Sequence, residues 1–126
     1  MPVYAPAFHT TSTRTAKTDL EPVDPEAILE HVRSLPVYTW HFRDVDDGRH
    51  VGPMAEDFHE AFELDQPGDT IASVDADGIA MAAIQGLLAR QECEHQRLAD
   101  VVAERRERVA ELESRVQALE ATVNEQ

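Results

Sequence analysis

The sequence predicts an α+β fold: a small globular head built of a helix, a β-hairpin and a short helix, followed by a long C-terminal helix that forms a coiled coil. Three observations predict it. Residues 37–51 carry β-type alternation on either side of Asp46-Asp47-Gly48, a hairpin turn signal. Residues 25–35 and 53–62 repeat apolar side chains at helical spacing. From Met81 to Val123 the apolar positions keep a heptad register through six heptads without a stutter.

At 126 residues, one domain is the default. With the last third in an extended helix, the globular part is small and its core buries little surface, so oligomerisation is the expected remedy. The formal net charge is −14, from 25 acidic and 11 basic residues. That argues against nucleic acid, which rewards clustered Lys and Arg, and against an anionic membrane surface. Lys17 is the only lysine. An acidic, lysine-poor chain suggests a high-salt setting, where ions screen self-repulsion. A lone Cys93 excludes an intrachain disulfide. No apolar run is long enough to span a membrane, and the first residues lack the basic-then-apolar pattern of a signal peptide.

Residues 1–11, with two prolines, read as an extended arm or the remnant of an upstream passenger. Residues 12–22 are polar loop or short strand. Asp24-Pro25 is a helix start, with Asp24 as N-cap and Pro25 at the first helical position. Ile28, Leu29, Val32 and Leu35 follow at helical spacing, Val23 and Ile28 can staple the cap, and Pro36 ends the helix. In Val37–Arg43, Tyr38, Trp40 and Phe42 share one face, the expected core side; Arg49-His50-Val51 is the returning strand. A short helix from Pro53 to about Phe62 is expected to bury Met54, Phe58, Ala61 and Phe62. Thr70-Ile71-Ala72 reads as a short strand, and Asp75 or Asp77 as the cap of the last helix.

Between Ile79 and Leu88 that helix is apolar or small all round, which predicts burial on every side. Beyond Arg90 only a seam remains. Its a positions are Met81, Leu88, His95, Val102, Val109, Val116 and Val123; its d positions are Ile84, Gln91, Leu98, Arg105, Leu112 and Leu119. Val at a with Leu at d leans by itself towards a parallel dimer. Gln91, His95 and Arg105 read as polar layers that set register. The expected organisation is an arm at 1–11, a head at 12–80 and a coiled-coil stalk at 81–126. No metal or cofactor is expected: His41 and His50 with Asp44, Asp46 and Asp47 follow no familiar ligand spacing.

Three strings carry a family resemblance: His50-Val51-Gly52-Pro53-Met54-Ala55-Glu56-Asp57-Phe58, then Val74-Asp75-Ala76-Asp77-Gly78, then Ala82-Ala83-Ile84-Gln85-Gly86-Leu87. In order and spacing they resemble the endosialidase-type intramolecular chaperone, the autoprocessing domain (peptidase S74 family) at the C-terminus of phage tail spikes and fibres. The resemblance covers about residues 12–126. It implies a parallel homotrimer rather than the dimer the heptads favour. It also implies that the domain helps an upstream fibre or spike passenger to fold and then cuts itself off. Ser12-Thr13-Arg14-Thr15-Ala16-Lys17 resembles the family's cleavage motif, a Ser followed by Asp, with a Lys five residues after the Ser. Ser12 would be the nucleophile, Lys17 its base, and the cut would fall between Thr11 and Ser12. Thr13 departs from the motif. His50 is implied as a participant near the cleavage site; otherwise it is a strand-end His bonded to backbone.

The expected setting is the virion tail, or the host cytoplasm during phage assembly. The expected partners are two further copies of the chain and a passenger, in cis or in trans, since only 11 residues precede Ser12. Two other readings remain open: a non-cleaving trimerisation cap, which Thr13 favours, and a coiled-coil adaptor whose acidic surface meets a basic partner. Residues 50–87 speak against the adaptor, which needs no such head.

Overall fold

The computed structural model describes residues 3–125. The first two residues of the expected arm and the last of the expected stalk lie outside the described residues. The helix, hairpin, short helix and long C-terminal helix follow in the expected order, as α1 (Pro25–Ser34), β1 (Tyr38–Trp40), β2 (His50–Gly52), α2 (Ala55–Phe62) and α3 (Ser73–Asn124); ahead of them, where the sequence reads as loop or short strand, Arg14–Ala16 forms a 3-10 turn. The chain divides into two compact units, Met1–Leu87 and Leu88–Gln126.

In the first unit, local chemistry sets the helix ends. Asp24 caps α1: its carboxylate accepts from the Glu26 N–H at 3.1 Å, and Pro25 opens the helix. The helix stops at Ser34, just ahead of Pro36. β1 and β2 pair antiparallel, with Trp40 opposite His50 and Tyr38 opposite Gly52. The strands are shorter than the alternation suggests, and Gly48 takes a positive φ of 92° in the loop between them. The aromatic face of β1 is not a buried core side. Tyr38 and Phe42 are exposed, and Trp40 is half-buried against Phe42 and His50. A two-stranded ribbon has too little sheet around it to cover such side chains.

α2 follows Met54 and ends where Glu63 turns left-handed at φ 50°, its N–H returning to the His59 carbonyl at 3.0 Å. Phe58, on its inner face, is the most deeply buried large side chain among the described residues, 2% exposed, with Phe62 beside it at 4.9 Å between ring centroids. Residues 70–72 form no strand. The next helix also starts earlier than its aspartates suggest. The Ala72 carbonyl accepts from the N–H groups of Asp75 (3.0 Å) and Ala76 (3.1 Å), so the helical ladder begins there. Asp75 therefore lies inside the first turn, where a carboxylate complements the helix dipole.

The apolar start of α3 is buried on one side only. Ala82, Ala83 and Gly86 are buried, whereas Met81 is 65% and Ile84 58% exposed. Small residues mark the face where the backbone of α1 comes close. A Cβ at Gly86 would run into the Pro25 carbonyl and sit 3.2 Å from the Leu29 Cβ. Alanine is normally the better helix former by about 1 kcal/mol. Here Gly86→Ala is expected to destabilise the fold by about 1–3 kcal/mol, because the obstacle is backbone and cannot rotate away. Thermal melts of the two proteins check the sign: a more stable Gly86→Ala would mean that α1 does not approach α3 this closely.

The second unit is the remainder of α3. Its polar side chains pair along the helix: Arg97 donates twice to Glu94, at 3.1 and 2.5 Å, and Arg108 lies 3.1 Å from Glu111. The Arg97 hydrogen bonds, with its charge, hold the Glu94 carboxyl below its usual range. Such exposed pairs add little to stability. The seam side chains Leu88, Leu98, Val102, Val109, Leu112, Val116, Leu119 and Val123 all stand exposed along the single chain. No helix among the described residues is long and apolar enough to cross a membrane.

Candidate active site

Residues 12–17 form one tight feature. Ala16 N–H bonds the Thr13 carbonyl at 3.1 Å, and Lys17 N–H bonds the Arg14 carbonyl at 3.3 Å, which makes the 3-10 turn. Thr13 and Lys17 flank the turn in extended conformation, with ψ of 152° and 153°. The chain thus doubles back and delivers the Lys17 side chain to Ser12: Nζ donates to Oγ at 2.6 Å. Both residues are exposed, as is Thr11. Thr13, where the motif usually has Asp, faces along the turn, its Oγ1 3.2 Å from that of Thr15.

A hydroxyl and an amine at 2.6 Å are within proton-transfer distance. With the ammonium as donor, the pair is a hydrogen bond. With the amine neutral, the same contact runs the other way: Ser12 donates, and its oxygen gains nucleophilic character. Residues 12–17 contain no carboxylate to bring to this pair.

His50 sits at the start of β2. Its Nε2 donates to Asp47 Oδ1 at 2.9 Å, and its ring lies 4.9 Å from that of Trp40 and 5.2 Å from that of Phe42. So the structure brings Ser12 and Lys17 together and ties His50 to Asp47 and two aromatic rings. The sequence places Asp47 near His50, within a turn signal, but does not single out the hydrogen bond between them. Its one signal is the three-residue spacing to His50 across Gly48. The Trp40 indole N–H is buried without a partner among the described residues; a Cβ at Gly52 would lie 4.0 Å from it.

The loop after α2 is held by a second histidine that sequence patterns do not single out. His59 Nε2 lies 2.5 Å from the Thr70 carbonyl. A carbonyl only accepts, so Nε2 carries the proton, and Nδ1 is left buried without a partner among the described residues. Among the same residues, no three His, Cys, Asp or Glu side chains gather as a metal site.

No curated protein and no solved structure matches the chain. A family model does: Peptidase_S74, described as chaperone of endosialidase, over residues 12–64. The matched stretch opens at Ser12 and includes Lys17, the His50 strand and α2. The family that the motifs resemble is thus the one whose model matches residues 12–64; of the three strings, His50–Phe58 falls within the match, and the strings at 74–78 and 82–87 lie beyond it.

Proposed function

We propose that the chain is a C-terminal intramolecular chaperone that trimerises through the α3 seam, assists folding of a phage tail-fibre or tail-spike passenger, and then cleaves itself before Ser12. The observation that carries the cleavage reading is the 2.6 Å contact between Lys17 Nζ and Ser12 Oγ. The family match supports the chaperone role. The exposed seam supports self-association, because apolar side chains at regular heptad spacing gain burial only from further helices. A trimer clamp suits a passenger with long-range β pairing, which folds slowly and aggregates easily.

The chemistry follows from Ser12 owning both the nucleophile and the scissile nitrogen. Neutral Lys17 takes the Oγ proton. Oγ then attacks the Thr11 carbonyl carbon through a five-membered ring. The Thr11–Ser12 C–N bond breaks, and the nitrogen takes a proton as it leaves. The resulting ester is hydrolysed by water, which yields the Thr11 carboxylate, the Ser12 hydroxyl and a free Ser12 amine. Lysine serves as base only when neutral, and desolvation favours that form. In the single chain the pair is exposed, so packing between copies supplies the desolvation in this reading, and cleavage then reports assembly.

A second reading has its own observation. Thr13 bonds Thr15 and brings no carboxylate to the dyad, which fits a trimerisation cap that no longer cuts. Intact mass after incubation in high salt, beside Ser12→Ala, separates the two. Loss of residues 1–11 from the wild type alone is the expected result. Full-length mass in both proteins leaves the non-cleaving cap.

A further inference from the structure

The six arginines of α3 are not equivalent. Arg90, Arg97, Arg108 and Arg115 each have a Glu or Asp three or four residues away, on the same face of the helix. Arg105 and Arg106 have none. Around Arg105 those positions hold Val101, Val102, Arg108 and Val109; around Arg106 they hold Val102, Ala103, Val109 and Ala110. Among the described residues neither guanidinium makes an ion pair, whereas Arg97 and Arg108 do. Glu104 and Glu107 flank the two arginines in sequence, but with Arg105 at d they fall at c and f, away from the seam.

Arg105 occupies a d position of the seam, so three copies of it converge in the proposed parallel trimer. In a parallel bundle a g residue faces the e residue five positions on in its neighbour. Arg108 then meets Glu113, and Arg115 meets Glu120, opposite signs both times. Arg106, at e, instead meets Val101. Every cross-helix neighbour of Arg105 at a, d, e or g is Val or Arg. Three guanidiniums would therefore meet at the axis with no carboxylate to neutralise them, and burying unpaired charge is costly.

We infer, resting on the trimer reading, that the Arg105 layer binds an oxyanion of the phosphate or sulfate class on the three-fold axis. A tetrahedral oxyanion on that axis presents three equivalent oxygens to three equivalent forks, a geometry that guanidinium matches and halide does not. No single chain contains the site; each copy contributes one third of it.

The test uses the full chain as Ser12→Ala, so that cleavage does not intervene. Sedimentation first establishes the oligomer. Thermal melts and calorimetry then follow titration with inorganic phosphate at constant ionic strength, with chloride as the balancing salt. The expected result is a trimer whose melting temperature rises and saturates with phosphate. Arg105→Leu, still trimeric, is expected to melt higher in chloride alone and to bind phosphate at least about tenfold more weakly. Arg105→Lys keeps the charge and is expected to lose most of the phosphate affinity. A trimer indifferent to phosphate overturns the site while leaving trimerisation intact, as does an equal response to chloride. A monomer or dimer overturns the trimer reading and the site with it.

Discussion

Under the proposed dyad mechanism, Lys17→Met is expected to leave the chain folded and to slow cleavage at Thr11–Ser12 by about a thousandfold, the usual size of a lost general base. The side chain stays long and flexible, so packing barely changes, and only the atom 2.6 Å from Ser12 Oγ is replaced by one that cannot take a proton. Ser12→Ala is expected to abolish cleavage outright, because it removes the attacking oxygen itself. Following full-length mass over time, with far-ultraviolet circular dichroism as a folding control, reads both. The outcome that sinks the dyad is a Lys17→Met protein that cuts at the wild-type rate; cleavage would then need another base. Thr13→Asp, which restores the family's usual residue, adds a carboxylate beside the turn and is the natural companion variant.

Phe58→Ala is expected to cost about 3–5 kcal/mol, the range for truncating a buried Phe. Few side chains share its burden. Among the described residues the buried hydrophobic ones are Phe58, Ala82 and Ala83, and the two alanines have little side chain to lose. Phe58 also anchors α2, whose Phe62 packs on it at 4.9 Å. Since a domain of this size holds on the order of 5–15 kcal/mol in all, the variant sits close to unfolding. Urea denaturation at fixed protein concentration measures it. A loss below about 1 kcal/mol would mean that α2 contributes little to the core.

Much of this fold is legible in the sequence wherever a feature is local. The Asp24-Pro25 start needs only two residues and their capping chemistry, and it stands as expected. The long helix declares itself through repetition. Phe58 is buried where helical spacing places it. What escapes is set by contacts distant in sequence. Gly86 looks like a helix blemish until Pro25 is seen against it. Asp75 looks like a cap because its side chain suits one; the actual start is decided by the Ala72 carbonyl, which any residue supplies. The aromatic alternation of β1 is plain in the sequence, but nothing there tells that the sheet stops at two strands and leaves that face uncovered.

The site divides the same way. A Ser and a Lys five residues apart carry no geometry by themselves, and only the resemblance pairs them. The 3-10 turn is what makes the spacing work, and its sequence Arg14-Thr15-Ala16 advertises nothing. His50 is legible as a motif residue, but its hydrogen-bond partner Asp47 lies inside a stretch that a turn accounts for fully.

The shortness of the Ser12–Lys17 loop has a consequence for timing. A ten-residue loop closes in about 10–100 ns, and this one is shorter still. Subunits meet over milliseconds to minutes, at a pace set by their concentration. The Ser12–Lys17 pair is therefore, on the proposed reading, poised long before any partner arrives, and the slow event is encounter. On the proposed reading, the moment of scission is a clock started by the third chain, and diluting the protein should delay the cut without altering its chemistry.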